Sequence, residues 1–308
     1  MTTTKISVRL LVCLFSLIFI LSACNGGAED MTTLAQTTAD TAAQPEITFA
    51  DTTAVDTDTP VVVDNELRIM TLNLLVGIDG DRAERLISYL LESSPDVLGV
   101  QEMATVWNSR FRRNKEFREM YTSVGEYGEG GTDGMRCAIF YKVDKFELIE
   151  TDTKWLTPTP DEVGKIDGSV DYRIATYAIL KHKETGFTYV HINTHLDTKS
   201  GDIRKAQIKY LFEAMPNFGD LPIVFSGDFN GAIDSVGYNY VINDCGFDNS
   251  ALKAIGGDRY TKSTSDYGTI DFIFIKNYGF KVNKYHVYTE SKISDHYPVY
   301  IDILVPTK

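Results

Sequence analysis

Ile223-Val224-Phe225-Ser226-Gly227-Asp228-Phe229-Asn230 begins as a buried strand and ends in reactive polar groups. A short apolar run bounded by Gly and Asn fits a strand enclosed on both faces. A carboxylate and a carboxamide do not suit the middle of such a strand, so Asp228 and Asn230 belong at its end or just past it. The same order recurs outward along the chain. Leu67-Arg68-Ile69-Met70-Thr71-Leu72 alternates as a strand does and stops at Asn73. Residues 96–100 form a short apolar run ending in Gln101-Glu102. Val190-His191-Ile192-Asn193-Thr194 runs into His195 and Asp197, Asp271 opens another run, and Asp295-His296 precedes the last one. Strands laid side by side would bring these termini to one edge.

The segments between them alternate in type. Asp81 precedes a helical face of Ala83, Leu86, Ile87, Leu90 and Leu91, which Pro95 ends. Residues 104–120 suit one polar-faced helix, and 202–215 suit another. Five glycines between 125 and 134 predict a loop. Residues 136–142 and 145–149 suggest a hairpin about Val143-Asp144, and 173–182 and 187–194 a second about the turn 183–186. Further strands are expected at 221–225, 270–275, 280–288 and 299–305. Mixed strand and helix patterns with hairpins predict an α/β fold of mixed sheets with helices outside.

The polar groups at the expected edge share a chemical use. Asn73, Glu102 and Asp295 offer hard oxygen atoms, which suit Mg²⁺ or Mn²⁺ better than zinc. Phosphoester hydrolysis needs charge stabilisation, an oriented water and a proton for the leaving oxygen. An Asp can hold the water, an Asn can donate to phosphate, and a His can move the proton. Taken singly, each residue has a structural reading: Asn73 a strand-end turn, Glu102 a capping acid, Asp228 to Asn230 an Asx turn, either His a support. The joint pattern favours chemistry.

Six segments then carry a resemblance. They are 67–73 (LRIMTLN), 100–102 (VQE), 192–197 (INTHLD), 226–230 (SGDFN), 269–274 (TIDFIF) and 294–299 (SDHYPV). In this order, over 66–308, the chain resembles the endonuclease/exonuclease/phosphatase superfamily. The resemblance implies a four-layer α/β sandwich, two mixed β-sheets face to face with helices outside. It implies Glu102 as main metal ligand with Asn73 and Asp295 nearby, and Asp228 orienting or deprotonating the attacking water. It implies Asn230 on the phosphate, His296 oriented by Asp271 at the scissile group, and His195 as second imidazole. The middle of the chain resembles a secreted bacterial branch. There Arg173 is either a bidentate phosphate clamp or half of a structural ion pair, Tyr177 stands where that branch has Trp, and Asp197 supports the site.

Composition narrows the partners. With 43 % apolar and 24 % charged residues among 308, the chain is neither disordered throughout, nor collagen-like, nor a coiled coil. The formal net charge is −13, opposite to a protein that grips nucleic acid by broad phosphate neutralisation. Arg110, Arg112, Arg113 and Lys115 form a local basic cluster, read as the wet side of a helix.

The N-terminal part reads as an address. Lys5 and Arg9 precede a 14-residue apolar run over 10–23, shorter than the roughly 20 residues that span a bilayer. Leu21-Ser22-Ala23-Cys24 resembles a lipobox, so residues 1–23 are expected as a signal peptide and Cys24 as a lipidated anchor in the membrane. Residues 24–65, rich in Thr, Ala and Asp, are expected as a flexible tether. Residues 1–65 hold eight acidic and two basic groups, leaving −7 on the domain. Cys137 and Cys245 are read as two free thiols or one bridge. The expectation is a monomeric, Mg²⁺- or Mn²⁺-dependent phosphoester hydrolase in the cell envelope, outside the cytoplasm. The alternatives are an extracellular nuclease acting on DNA or RNA and an inactive surface binding module.

Overall fold

The computed structural model describes residues 65–307, apart from 78–79, 259–260 and 291. The expected signal peptide, Cys24 and nearly all of the tether lie outside the described residues. Among those described, no helix is long and apolar enough to cross a membrane. In chain order the strands are β1 (Glu66–Asn73), β2 (Val97–Met103), β3 (Tyr121–Val124), β4 (Arg136–Lys142), β5 (Phe146–Trp155), β6 (Ile174–His182), β7 (Thr188–His195), β8 (Ile223–Asp228), β9 (Asp248–Asn249), β10 (Gly256–Gly257), β11 (Asp271–Lys276), β12 (Lys281–Val287) and β13 (Val299–Leu304). The helices are α1 (Gly80–Ser93), α2 (Thr105–Arg113), α3 (Lys115–Met120), α4 (Gly201–Ala214), α5 (Val236–Asn239) and α6 (Ser250–Lys253), with a π-helical turn at Tyr240–Asp244.

The strands form two mixed sheets. One runs β10-β12-β13-β1-β2-β4-β3 and the other β5-β6-β7-β8-β11-β9. β1 and β2 are parallel, as are β7 and β8 and the short β10 and β12; the remaining pairs are antiparallel. The facing sides bury Leu67, Ile69, Val97, Tyr189, Val224, Ile273 and Ile301 in one core. Met70, Leu72, Leu98 and Val100 on the outer side of the first sheet meet Leu86 and Leu90 of α1 and Trp107 and Phe111 of α2. Ile192, Phe225 and Phe272 on the outer side of the second meet Ile208 and Leu211 of α4. The result is the expected four-layer α/β sandwich.

Strand alternation decides what lies between the sheets, because every second side chain faces inward. Read toward one end, the inward residues of β1 are Leu67, Ile69, Thr71 and Asn73. Those of β7 are Tyr189, His191, Asn193 and His195; those of β8 are Val224, Ser226 and Asp228. Each series climbs from apolar through neutral polar to the residues singled out in the sequence. Gly227 keeps β7 and β8 close enough for this. Its φ is +148°, and a Cβ there would stand 2.0 Å from the Thr194 carbonyl oxygen.

Two local expectations need correction. Residues 136–149 are not a hairpin: β4 pairs with β2 and β3 in one sheet, and β5 with β6 in the other. Lys142 and Lys145 both bind the Asp96 carboxylate, at 2.9 and 3.1 Å, and Phe146 enters the inter-sheet core, so the chain crosses layers at Val143-Asp144. The single helix over 104–120 is two helices. Asn114 has extended dihedrals and its side chain accepts the Phe117 N–H, capping α3 and breaking α2. The hairpin turn at 183–186, the glycine loop and the helix at 202–215, capped by Ser200, form as expected. Cys137 and Cys245 are free thiols.

Candidate active site

Asp228, at the end of β8, is 1 % exposed and stands at the centre of the charged cluster. Register explains the gathering: Asp228 lies opposite His195 of β7 and Asp271 of β11. The Asn73 amide nitrogen donates to Asp228 Oδ2 and to Glu102 Oε1, both at 3.0 Å. His195 Nε2 is 3.4 Å and His296 Nε2 3.6 Å from Asp228 Oδ2. Past the strand end, Asn230 takes a left-handed conformation that Asn tolerates, with its backbone N–H on Asp228 Oδ1 at 2.9 Å. Its amide nitrogen donates to His195 Nε2 and to the Leu196 carbonyl, each at 2.9 Å.

Glu102 reaches this cluster through irregular backbone. The β2–β4 register slips between Val100 and Met103, and Glu102 takes a φ of +57°, a left-handed conformation costing a non-glycine about 1–2 kcal/mol. Alternation points Gln101 inward; the bulge lets its neighbour Glu102 reach the same end. The Val76 N–H donates to Glu102 Oε2 at 2.7 Å. Strain held by surrounding bonds is a recurrent property of functional sites.

His296 is set from two sides. Its Nδ1 donates to Asp271 Oδ2 at 2.8 Å, and its backbone N–H meets Ser294 Oγ at 3.2 Å. Ser294 Oγ in turn donates to the Asn73 carbonyl, tying this loop to β1. Burial opposes a charge on His296, but the Asp271 carboxylate, through its charge and hydrogen bond, together with Asp228 and Asp295 outweighs it and lifts the imidazolium pKa to about 9. Burial, with Asp271 nearby, pushes the Asp228 carboxyl up to about 7. His195 is held well below the usual range by burial and by Arg173 and His296. The two imidazoles therefore differ at neutral pH: His296 is charged and donating, His195 neutral. Since Asn230 donates to His195 Nε2, that ring carries its proton on Nδ1.

Glu102, Arg173, His195, Asp228, Asn230, Asp295 and His296 line one cavity of about 710 Å³. Asn73 and Asp271 stand immediately behind it through the bonds given above. All nine side chains singled out for the domain are thus brought together. Arg173 is 5 % exposed and does two things at once. A terminal nitrogen contacts Asp171 at 3.2 Å, the buried Nε, which makes no hydrogen bond, lies 3.6 Å from Asp197, and the residue also lines the cavity. Asp197 accepts from Ser169 Oγ and the Val170 and Asp171 N–H groups, so it holds the segment that leads to Arg173. Arg112, Arg113 and Lys115 lie on the wet side of α2 and α3, as expected.

Sequence reasoning did not single out Tyr267, 69 % exposed on the cavity rim, or Met135, Asp171 and Thr198 on its walls. It also passed over Ser263, whose buried hydroxyl donates to Asp271 at 2.8 Å and accepts the Ile270 and Asp271 N–H groups. A Ser in a polar loop carries no local signal for that task. Tyr267, beside Gly268 in the same loop, was the one detectable cue.

The donor set fits a hard divalent cation. Glu102, Asp228 and Asp295 bring three carboxylates to the cavity against Arg173, which already faces two acids, and no thiolate lines it among the described residues. Asp228, Asp271 and His296 also place a ligand atom each within 4.8 Å of one another. The hydrogen bond between His296 and Asp271 accounts for that closeness without an ion.

Comparison with known proteins agrees with the geometry. Residues 70–296 match the model of the Endonuclease/Exonuclease/phosphatase family. Protein angel of Drosophila melanogaster is 30 % identical over 198 residues, 60 % of this chain and 54 % of that protein. The chain thus spans about half the length of this curated relative. An endonuclease/exonuclease/phosphatase crystal structure from Bacteroides vulgatus superposes with a TM-score of 0.71 at 26 % identity, covering 78 % of this chain and 99 % of that one. A Bacteroides thetaiotaomicron mannosyl-6-phosphatase gives a TM-score of 0.71 at 25 % identity, covering 78 % and 100 %.

Proposed function

The chain belongs to the endonuclease/exonuclease/phosphatase family, a family of hydrolases, and from that premise we propose that it removes phosphate from a small phosphomonoester with Mg²⁺ or Mn²⁺ as cofactor. One observation carries this reading: Asp228 lies within 3.6 Å of Asn73, His195 and His296 at the base of a single cavity that Arg173 also enters. A volume of about 710 Å³ suits a small ligand rather than a polymer track. The domain is acidic, and Arg173 is the one cation of Lys or Arg type on the cavity wall among the described residues, which disfavours a nucleic-acid substrate. The mannosyl-6-phosphatase among the structural neighbours points the same way.

Glu102 and Asp295 would hold the cation by carboxylate oxygen, with Asn73 fixing Glu102 through its amide. The bound cation supplies neutralising charge to the phosphoryl oxygens. Arg173 offers its guanidinium to the phosphate, oriented by Asp171 and Asp197. Asp228 orients a water and takes its proton, for which a carboxyl raised by burial is suited. His296, kept protonated by Asp271, donates through Nε2 to oxygen at the phosphorus centre or to the leaving group. Asn230, whose two amide hydrogens go to His195 and to the Leu196 carbonyl, fixes neutral His195, which stands ready as the second imidazole. Retention of all these groups argues against an inactive binding module. The chain is further proposed to act as a monomer on the outer side of a bacterial membrane, held there by lipid on Cys24.

The test is a panel of sugar phosphates, nucleotides, DNA, RNA and phospholipids assayed with Mg²⁺, Mn²⁺ and chelator. Sugar monoesters should be cleaved fastest, with metal only, and His296→Ala should lose about 10²–10⁴ in kcat. Preferred cleavage of DNA or RNA would replace this reading with the nuclease, and full activity in chelator would refute the mechanism.

A further inference from the structure

Arg136, the first residue of β4, is an 8 % exposed guanidinium with no carboxylate partner among the described residues. Its Nε donates to the Gly125 carbonyl at 3.0 Å, and its guanidinium carbon lies 5.5 Å from the Tyr127 ring centre. Arg173, equally buried, faces Asp171 and Asp197, the half-buried Arg68 binds Asp302 at 2.7 Å, and the buried Arg82 donates to the carbonyls of Leu74, Leu75 and Ile293. A charge removed from water without a counter-ion is costly, and burial accordingly lowers the pKa of Arg136. Arg136 lines a cavity of about 330 Å³ between α2, α3 and the edge strand β3.

The walls of that cavity carry three arginines and neutral polar groups able to donate, but no carboxylate among the described residues. Arg112 and Arg118 stand at its mouth, Arg118 fixed by a bond from its guanidinium to the Arg112 carbonyl at 3.4 Å. The hydroxyls of Thr122 and Ser123 and the amide of Asn108 complete the polar lining, over a floor of aromatic rings. No Asp or Glu lines it among the described residues, in a chain of net charge −13. It shares no lining residue with the catalytic cavity, although Met135, beside Arg136, lies on the wall of the latter.

We propose that this pocket is a second anion site, which takes a phosphate group and gives Arg136 the counter-ion its burial calls for. Planar guanidinium forks match two phosphate oxygens at once, and the flanking hydroxyls reach the third. The phosphate arrives either as a free ion or as the headgroup of an anionic lipid; the chemistry at the site is the same.

Titration of inorganic phosphate, and of phosphatidylglycerol–phosphatidylcholine vesicles, into the full chain tests this. Chelator is present to keep phosphate from the catalytic cavity, and chloride holds the ionic strength constant. Wild type and Arg173→Ala should bind alike, while the exposed pair Arg112→Ala/Arg118→Ala should weaken binding about tenfold or more with its fold and basal hydrolysis intact. Arg136→Met should abolish it; if that variant does not fold, the exposed pair decides alone. Heat with free phosphate assigns a soluble ion, and vesicle binding without phosphate heat, removed by the same pair, assigns a headgroup. No binding of either probe, or binding that the Arg112/Arg118 pair leaves unchanged, overturns the proposal, as does loss in Arg173→Ala.

Discussion

Two tiers of polar side chains lie one above the other between the sheets, and they do different work. The lower tier is neutral and closed. Gln101 donates to Thr71 Oγ1 at 3.0 Å and to Asn193 Oδ1 at 2.6 Å, and Asn193 donates to the carbonyls of Val100 and Ala138 at 2.9 and 3.0 Å. His191 shares a 2.9 Å hydrogen bond with Ser226. The upper tier, one alternation step on, is charged and open: Asp228, His195 and His296 border the cavity. Both tiers are buried, so burial of polar groups alone does not identify chemistry. What separates them is the balance of the groups. The lower tier cross-links the sheets almost wholly within itself, whereas the upper keeps surplus carboxylate, shifted titration and an exit to solvent. A neutral network of this kind rigidifies the platform on which the reactive groups stand.

Substitutions should separate the tiers. Asp228→Asn carries the largest expected effect: kcat falls by about 10³ or more. Stability holds or rises, because removing this carboxylate relieves its burial and its repulsion with Asp271. Kinetics and urea melts on one preparation check both halves; an unstable but active variant would erase the distinction. Asn193→Ala is the mirror case. It strips partners from Gln101 and two carbonyls at the sheet interface and should cost about 3 kcal/mol of stability. Activity per folded molecule should change little.

The pH response of the lower tier gives a smaller signal. Burial depresses the His191 pKa from 6.5 to about 3. The unfolded chain therefore takes up a proton that the folded one refuses, and stability is lost as pH falls from about 6.5 toward 3. The slope from this residue is at most about 1.4 kcal/mol per pH unit. His191→Gln should remove that share from the pH dependence of urea midpoints. An unchanged slope would mean that His191 charges within the fold.

Much of the upper tier was legible because the rule that places it is local. A polar residue closing an apolar run marks a strand end, and the family segments fix which ends meet. Glu102 was visible as a strand terminus, but not the bulge and left-handed turn that bring it level with Asn73. The crossing at Val143-Asp144 was invisible for another reason. Two short strands joined by a turn look the same whether they pair or part, and here the difference depends on Asp96, some forty-six residues from Lys142. Asn114 could have been read as a helix cap from its place before Lys115-Glu116, and Ser263 could not. Arg173 was left open between clamp and ion pair because only coordinates show a guanidinium serving two acids while facing a cavity.

The central claim is that the upper tier holds a divalent cation and the lower tier does not. Mn²⁺ affinity, followed by electron paramagnetic resonance of the free ion, tests it most directly in wild type, Glu102→Gln and His191→Gln. The account predicts that Glu102→Gln weakens Mn²⁺ binding by about 10–100-fold or more, while His191→Gln binds as wild type. Equal affinity in wild type and Glu102→Gln would contradict it.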